Sequence, residues 1–391
     1  MDGLQKGILA LIKAGITGES CPLPEDFSLE EAVKPLHRHQ LSSLGYQGAV
    51  TCGLNRETPT MTVLLHQYFT VLLRSERQQA AIEALFAQLD ALQIDYLPLK
   101  GTNMKALYPK PELRSMSDAD VLIRLEQYPK IQPLADKLGY QQVGESNHEI
   151  IWHKPELHLE LHKMLIPSYN PDYYAYFGDG WNLARKGEGT RYHMDPEDAY
   201  VYQFTHFAKH YRDGGIGVRH VVDLWVFRRS YPELSESRLR SALEKLQLLE
   251  FYENISRLTD AWFAGGELDE KLQFMTDYLF DSGSFGKWEN HVLAQNVRNR
   301  ATAGSARGGR ILTVTRLLFP NLEAMAGQFS VLKKLPWLLP VFWPVRWVRA
   351  VLFRRNNIRT QKRNLQASTA DKVDAFEEGL KYVGLEFRFQ E

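Results

Sequence analysis

The segment Leu157-His-Leu-Glu-Leu-His162 constrains the fold most, because apolar and polar residues alternate along it without a break. Side chains of a β-strand point alternately to the two faces of a sheet, whereas a helix repeats every 3.6 residues. The period of two therefore predicts a half-buried strand, with three leucines on one face and His158, Glu160 and His162 on the other. A chain with such a strand must contain a sheet.

Other short segments before this strand extend the sheet. Asp95–Leu99 is an apolar run that precedes Lys100-Gly101, which indicates a strand ending in a turn. We expect further strands at 118–124, 148–153 and 157–161, a helix at 102–108 capped by Thr102, and a helix at 125–138. Residues 91–165 are therefore predicted to form a compact unit of strands and helices.

The rest of the chain has apolar residues at helical spacing, which predicts an α+β protein with a small mixed-sheet core embedded in a mostly helical chain. The helices we expect include 60–89, 196–212, 215–230, 236–263 and 267–280, with a flexible break at 304–309. The predicted division is an N-terminal helical region at 1–90, the core at 91–165, a helical domain at 166–297 and a basic C-terminal helical region at 298–391.

The net charge of zero, from 47 basic and 47 acidic residues, conceals an uneven distribution. Residues 298–363 carry 14 Lys and Arg against one acid, Glu323, so this stretch is +13 and the remainder −13. Such a block either binds an anionic partner, RNA or lipid, or pairs with acids elsewhere in the fold. It contains an amphipathic helix predicted at 341–353, with Trp343 and Trp347 on one face. That helix either lies at a membrane surface or closes a helical core, and we favour the core.

Cysteine content and the N-terminus bear on the compartment. Cys21 and Cys52 are too few for a disulfide framework and indicate reduced thiols in the cytoplasm. The apolar run Ile8–Ile12 is too short for the hydrophobic region of a signal peptide. We therefore expect a cytoplasmic protein, either free or at the periphery of the membrane.

The pair Asp118 and Asp120 is the strongest indication of chemistry. Residues two apart on a strand share a face, so their carboxylates lie close together, which is unfavourable unless a cation lies between them. Mg²⁺ takes such oxygen ligands and leaves positions open for phosphate. If the strands are neighbours, Glu160 reaches the pair, and three carboxylates then form a cradle for two metal ions and phosphoryl chemistry.

The combination of these motifs resembles the uncharacterised nucleotidyltransferases of the DNA polymerase β-like nucleotidyltransferase superfamily. The matching residues are Leu99-Lys-Gly101, Leu113-Arg114, Ser117-Asp-Ala-Asp-Val-Leu122 and Leu159-Glu-Leu-His162, within about 70 residues, with a weaker match at His206-x-x-x-His210 and Asp223-Leu224. The chain departs from the broader superfamily signature, because Thr102 follows Gly101 and 17 positions separate Gly101 from Asp118.

The resemblance implies roles for these residues. Asp118 and Asp120 would bind two Mg²⁺ ions that carry the triphosphate of an NTP, ATP in the first instance, and Glu160 would orient or deprotonate the attacking hydroxyl. The expected nucleotide-binding residues are Lys100, Gly101, Thr102, Arg114 and Ser117, and the expected cleft residues are His162, His206 and His210. Two alternatives stay open: Lys100 and Arg114 contact phosphate or form ion pairs with nearby acids, and the pair His206 and His210 lines the cleft or binds zinc.

The sequence thus predicts a Mg²⁺-dependent transferase that moves an NMP unit from an NTP to an unidentified hydroxyl or phosphate acceptor. The alternative is a non-catalytic nucleotide-binding or regulatory module whose basic C-terminal helices bind RNA or an anionic membrane. No Walker A motif, dinucleotide-binding glycine fingerprint or Gly-x-Ser-x-Gly elbow is present in the sequence, so those classes of enzyme are excluded.

Overall fold

The computed structural model describes residues 1–168, 170–303, 306–329, 331–353 and 369–387. The helices before the central sheet and within it are α1 Gly3–Thr17, α2 Leu29–Arg38, α3 Ser42–Thr51, α4 Pro59–Ala91, α5 Gly101–Met104, α6 Tyr128–Ile131 and α7 Leu134–Lys137. The later helices are α8 Pro171–Phe177, α9 Pro196–Asp213, α10 Val218–Ser230, α11 Glu236–Lys245, α12 Leu249–Phe263, α13 Glu270–Ser282, α14 Trp288–Ala303, α15 Ala306–Leu318, α16 Leu322–Ala326, α17 Val331–Lys334, α18 Leu339–Phe353 and α19 Ala370–Tyr382. The strands are β1 Tyr96–Leu99, β2 Asp118–Ile123, β3 Gln141–Glu145, β4 Glu149–Lys154, β5 Leu157–His162, β6 Ala184–Lys186 and β7 Tyr192–Met194.

Five strands form one mixed sheet in the order β1-β2-β5-β4-β3, and β6 and β7 form a small hairpin sheet. β2 and β5 run parallel, and the other pairs of the large sheet are antiparallel. In the β2–β5 register Asp118 is opposite His158 and Asp120 is opposite Glu160. The predicted α+β class, a small mixed sheet within a mostly helical chain, is confirmed.

The two faces of the sheet pack differently, as the alternation of residues requires. The leucines of β5 and the alternate residues Ala119, Val121 and Ile123 of β2 are fully buried in one core with the C-terminal half of α4. A larger core holds the N-terminal half of α4 together with α1, α9, α10 and α12. The 33-residue helix α4 therefore joins both cores, while the face with the acids is free to line a cavity.

Several boundaries differ from the sequence-based expectation. The prediction of one helix at 125–138 is wrong. Pro133, which has no N–H to continue the helical hydrogen bonds, separates α6 from α7. The segment 236–263 is two helices, because Gln247 between α11 and α12 adopts a φ of +57°. Strand β3 was missed, since its residues are mostly exposed at the sheet edge and have no apolar alternation.

Two further corrections concern caps and breaks. Thr102 does not cap the helix at 102–108, because α5 begins at Gly101 and Lys100 occupies the cap position without a side-chain hydrogen bond. The prediction of a flexible break at 304–309 is wrong for residues 306–309, which belong to α15. Residues 304 and 305 lie outside the described residues. The division into four domains stays a prediction.

The C-terminal tryptophans pack on the chain itself. The rings of Trp343 and Trp347 in α18 contact Phe319 with centroid distances of 5.1 and 5.3 Å. Their indole nitrogens donate to the carbonyl oxygens of Pro320 and Leu318 at 3.0 and 2.8 Å. These contacts favour the structural interpretation of the predicted helix at 341–353.

The basic block is described only in part. Arg298 pairs with Asp213, and Arg300 pairs with Asp374 and Glu377, as the alternative of pairing with acids of the fold predicts. The basic residues between 354 and 363 lie outside the described residues. Within the described ranges, no helix has both the length and the apolar character that crossing a bilayer requires.

Candidate active site

The acid-bearing face of the sheet lines a cavity of about 400 Å³ together with residues of α9 and α10. The cavity lining includes all the predicted site residues except one: Asp118, Asp120, Glu160, Lys100, Gly101, Arg114, Ser117, His162, His206 and His210. Thr102 instead lines a neighbouring cavity that opens beside β7. The alternation of β2 and β5 and their parallel register therefore bring the predicted carboxylates into one cavity.

Asp120 is the centre of the hydrogen-bond network in this cavity. Its side chain is almost fully buried, and its Oδ1 accepts from Lys100 Nζ at 2.7 Å and contacts His162 Nε2 at 2.8 Å. His162 Nε2 also lies 3.5 Å from Glu160 Oε2. One ligand atom from each of Asp120, Glu160 and His162 lies within 4.8 Å of the others, a spacing that a metal ion can bridge. Asp118 lines the same cavity but lies outside this compact group.

The charges of the network determine its proton affinities. Burial alone raises the pKa of Asp120, but the ammonium of Lys100 and the hydrogen bond from His162 outweigh it and hold that pKa well below its usual range. Burial and Lys100 lower the pKa of His162, but its contacts with Asp120 and Glu160 leave it raised. Burial and the negative charges of Asp120 and Glu160 raise the pKa of Asp118. Among the described residues Asp118 has no ion-pair partner.

Lys100 reaches Asp120 from a strained backbone. Its φ of +43° and ψ of −117° are values that residues with a Cβ rarely adopt. Such strain persists where the surrounding structure imposes it, often at functional sites. The strained turn directs the Lys100 ammonium onto Asp120, so the ion-pair alternative describes Lys100 in this structure.

The ion-pair alternative also describes Arg114. Its guanidinium donates from Nε and Nη2 to the two carboxylate oxygens of Asp223 at 3.2 and 3.0 Å, and Tyr108 donates to the same carboxylate at 2.7 Å. Asp223 is fully buried and Arg114 nearly so. Arg114 therefore fixes α10 to the segment that precedes β2, while part of its side chain still lines the cavity.

Gly101 packs against Arg114 so closely that a side chain at position 101 would collide with the guanidinium. A Cβ built at Gly101 would lie 2.5 Å from Arg114 Nη1 and 3.1 Å from Met116 Cγ. The resemblance implies that Gly101 binds nucleotide, and this role stays a prediction. The structure shows a close approach of the backbone to Arg114.

Gly101→Ala is therefore expected to destabilise the protein by about 1–3 kcal/mol, because the added methyl group displaces a buried, paired guanidinium. Urea unfolding measures this cost, with Gly379→Ala as the control. Gly379 is likewise a helical glycine without a positive φ, and its Cβ would meet only the exposed ring of Phe274, whose Cζ lies at 3.1 Å, so the control adds the same methyl group without displacing a buried charge. An equal cost in both variants would contradict the role of Gly101 in packing Arg114.

Ser117, His206 and His210 complete the predicted set. Ser117 Oγ accepts from Gln40 at 3.2 Å. The Nε2 atoms of His206 and His210 lie 3.1 Å apart, and burial, with nearby lysines, lowers both pKa values well below 6.5. Within the described part of the chain the two histidines belong to no group of three metal ligands, so they are neutral cleft residues here.

Three further residues of the cavity, Glu149, Lys209 and Arg219, lie outside the set of site residues predicted from the sequence. Glu149 begins β4 and pairs in register with His162, so it adds a fourth carboxylate to the cavity. Burial and the charge of Lys100 lower the pKa of Lys209 to about 8, and burial and Arg114 lower the pKa of Arg219 to about 10. Among the described residues neither cation has a carboxylate partner. The positions of Lys209 and Arg219 follow only from the packing of α9 and α10 over the sheet, which no local sequence pattern predicts.

The mixed sheet, with paired acids on one strand and a third on its parallel neighbour, defines a class: an α+β fold of the nucleotidyltransferase type. A family model described as "uncharacterised nucleotidyltransferase" matches residues 25–264, and the chain belongs to this family. A solution structure of the antibiotic-resistance factor ANT(2'')-Ia is similar over 46% of this chain and 96% of its own, at 13% identity and a TM-score of 0.34. That likeness is weak, and the family match alone carries the assignment. Among curated proteins, no sequence matches this chain.

Proposed function

We propose that this protein transfers an NMP unit from an NTP, ATP in the first instance, to a hydroxyl or phosphate acceptor and releases pyrophosphate, with Mg²⁺ as the cofactor. The observation that supports this most is the position of Asp120 directly opposite Glu160 on parallel strands, with Asp118 in the same cavity. Membership of a nucleotidyltransferase family supports the reaction class.

The donor set fits Mg²⁺. Asp118, Asp120 and Glu160 offer carboxylate oxygens, the ligands that this cation prefers. Burial and the charges of Asp120 and Glu160 raise the pKa of Asp118 although Lys100 and Arg219 act against them, so a further cation beside these carboxylates would be favourable. Asp118 and Asp120 would hold the metal, with Glu160 as the third ligand. When bound, Mg²⁺ neutralises charge on the phosphates and on the leaving pyrophosphate.

The residues of the chain have separate tasks in this proposal. Lys209 and Arg219 are the two cations of this cavity without a carboxylate partner among the described residues, and they contact the triphosphate. Lys100 keeps Asp120 ionised through their ion pair. The acceptor oxygen forms a bond with the α-phosphorus as the bond from that phosphorus to pyrophosphate breaks. Glu160, whose side chain is 20% exposed at the cavity wall, orients the acceptor and takes the proton of its hydroxyl.

Transfer of label tests the reaction directly. The protein is incubated with each α-labelled NTP, Mg²⁺ and a fractionated lysate, and the fraction that takes up label identifies the acceptor class. The same incubation with γ-labelled NTP is the control, because pyrophosphate release leaves no γ-label on the acceptor. Transfer of the γ-label to the acceptor would contradict nucleotidyl transfer.

NTP and Mg²⁺ together are expected to raise the melting temperature of the protein, since a ligand that binds only the folded state stabilises it. The double variant Asp118→Asn/Asp120→Asn should lose most of this increase, because the metal loses two anionic ligands. Differential scanning fluorimetry with NTP alone, Mg²⁺ alone and both measures the effect. An undiminished increase in the double variant would place the nucleotide elsewhere.

A further inference from the structure

A second cavity, of about 450 Å³, adjoins the acid-lined one. The two share Arg114 and Phe285 as lining residues, and the second lies between α2, α4 and the segment 114–116 that leads into β2. Its size falls within the range of about 300–1,000 Å³ that is usual for small-molecule sites. The reaction proposed above assigns no ligand to this second cavity.

The walls of the second cavity carry positive charge without acids. Its lining residues include Arg38, Arg74, Lys105 and Arg114, and no aspartate or glutamate. Arg114 is neutralised by Asp223, but Lys105 is not neutralised by any carboxylate within ion-pair distance among the described residues. Lys105 is only 6% exposed, and its Nζ donates to Ser75 Oγ at 2.7 Å.

A buried ammonium with a neutral partner is costly, because the hydroxyl replaces only part of its hydration. Burial and the charge of Arg114 accordingly lower the pKa of Lys105 to about 8. An anion in the cavity would provide the missing counter-charge and restore the proton affinity of this side chain.

Neutral polar atoms in the same wall also lack partners. Gln40 Oε1, Gln67 Oε1 and Ser42 Oγ are buried and have no hydrogen-bond partner in the described part of the chain, and all three residues line the cavity. Buried polar side chains are nearly always paired, so three unpaired ones in one small cavity are unusual. The two amide oxygens can only accept, so they require hydroxyl or N–H groups of a ligand.

We propose that the second cavity binds the acceptor substrate, a small hydroxyl-bearing molecule that carries a phosphate or carboxylate group. Lys105 and Arg74 bind the anionic group, and Gln40, Gln67 and Ser42 bind hydroxyls. The two cavities meet at Arg114 and Phe285, so an acceptor that extends past these side chains brings its reacting hydroxyl to the acids of β2 and β5. This inference rests on the proposed function, for which it names the class of acceptor.

The first test is anion binding, which requires no activity. Inorganic phosphate and acetate are each compared with chloride at equal ionic strength by differential scanning fluorimetry. At least one of the two anions should raise the melting temperature, and which one does so identifies the anionic group. Lys105→Met and Arg74→Gln should each lose at least half of the increase, while Lys105→Arg and Lys110→Met, an exposed lysine nearby, should keep it. Arg74 is exposed, so Arg74→Gln is expected to fold. If Lys105→Met does not fold, Arg74→Gln alone tests the site.

The second test is the acceptor itself. The lysate fraction that takes up α-label should be of low molecular weight and retained on an anion exchanger. Lys105→Met should raise the KM for that fraction by roughly tenfold or more and leave the KM for the NTP unchanged, since a hydrogen bond to a charged group contributes about that factor. An anion effect independent of Lys105 and Arg74, or label in an uncharged or macromolecular fraction, would overturn the acceptor site. If no label is transferred at all, the result contradicts the proposed reaction instead. The anion-binding test then still shows whether the cavity binds an anion.

Discussion

Asp118→Asn is expected to reduce nucleotidyl transfer by about a thousandfold without lowering the free energy of unfolding. Charge stabilisation by a bound metal contributes ~4 kcal/mol in the transition state, and each 1.4 kcal/mol is a factor of ten in rate. In the folded protein the pKa of Asp118 is raised by burial and by Asp120 and Glu160, so its ionised form is less favourable there than in the unfolded chain. Removing that charge therefore costs no stability.

Rate and stability have to be measured on the same variant. Label transfer gives kcat/KM, and urea unfolding gives the free energy of unfolding. Glu156→Gln is the matched control: it removes an exposed carboxylate at the turn between β4 and β5, and both quantities should stay at the wild-type level. Two results would contradict a metal-binding role for Asp118. One is retention of activity by Asp118→Asn, and the other is a loss of stability large enough to explain the loss of activity by unfolding.

Arg114→Leu is expected to cost about 3–5 kcal/mol of stability, because it leaves the Asp223 carboxylate buried, with Tyr108 as its one remaining hydrogen-bond donor among the described residues. The ion pair has side-chain exposures of 6% and 0%, so water cannot replace the arginine. Arg114→Lys should recover little of this loss, since a lysine cannot form both hydrogen bonds of the guanidinium. The midpoint of urea unfolding reports the effect.

Two comparisons isolate the buried pair. Arg257→Leu removes an ion pair with Asp269 whose side chains are 53% and 41% exposed, and it should cost less than about 1 kcal/mol. The double variant Arg114→Leu/Asp223→Leu should be more stable than Arg114→Leu alone, because no uncompensated charge stays buried. If Arg114→Leu is no more destabilising than Arg257→Leu, Arg114 is available for phosphate, as the first of the two sequence-based alternatives states.

The sequence by itself determined which side chains share a face. The alternation in β5 and the spacing of Asp118 and Asp120 are local properties, because successive side chains of a strand must point to opposite faces. They correctly predicted the mixed sheet, the buried leucines and the polar face with its carboxylates. The short polar edge strand β3 escaped prediction because an edge strand needs no apolar alternation.

The tertiary structure alone decided which distant groups meet. Arg114 and Asp223 are 109 positions apart, so only the packing of α10 against the start of β2 turned a candidate phosphate ligand into half of a buried ion pair. The packing of α9 over the sheet placed Lys209 in the cavity with the acids, and Lys105 has no carboxylate within ion-pair distance among the described residues. Periodicity fixes the direction of a side chain relative to its own strand or helix, but charge pairing depends on distances between elements. A one-dimensional pattern contains no record of those distances.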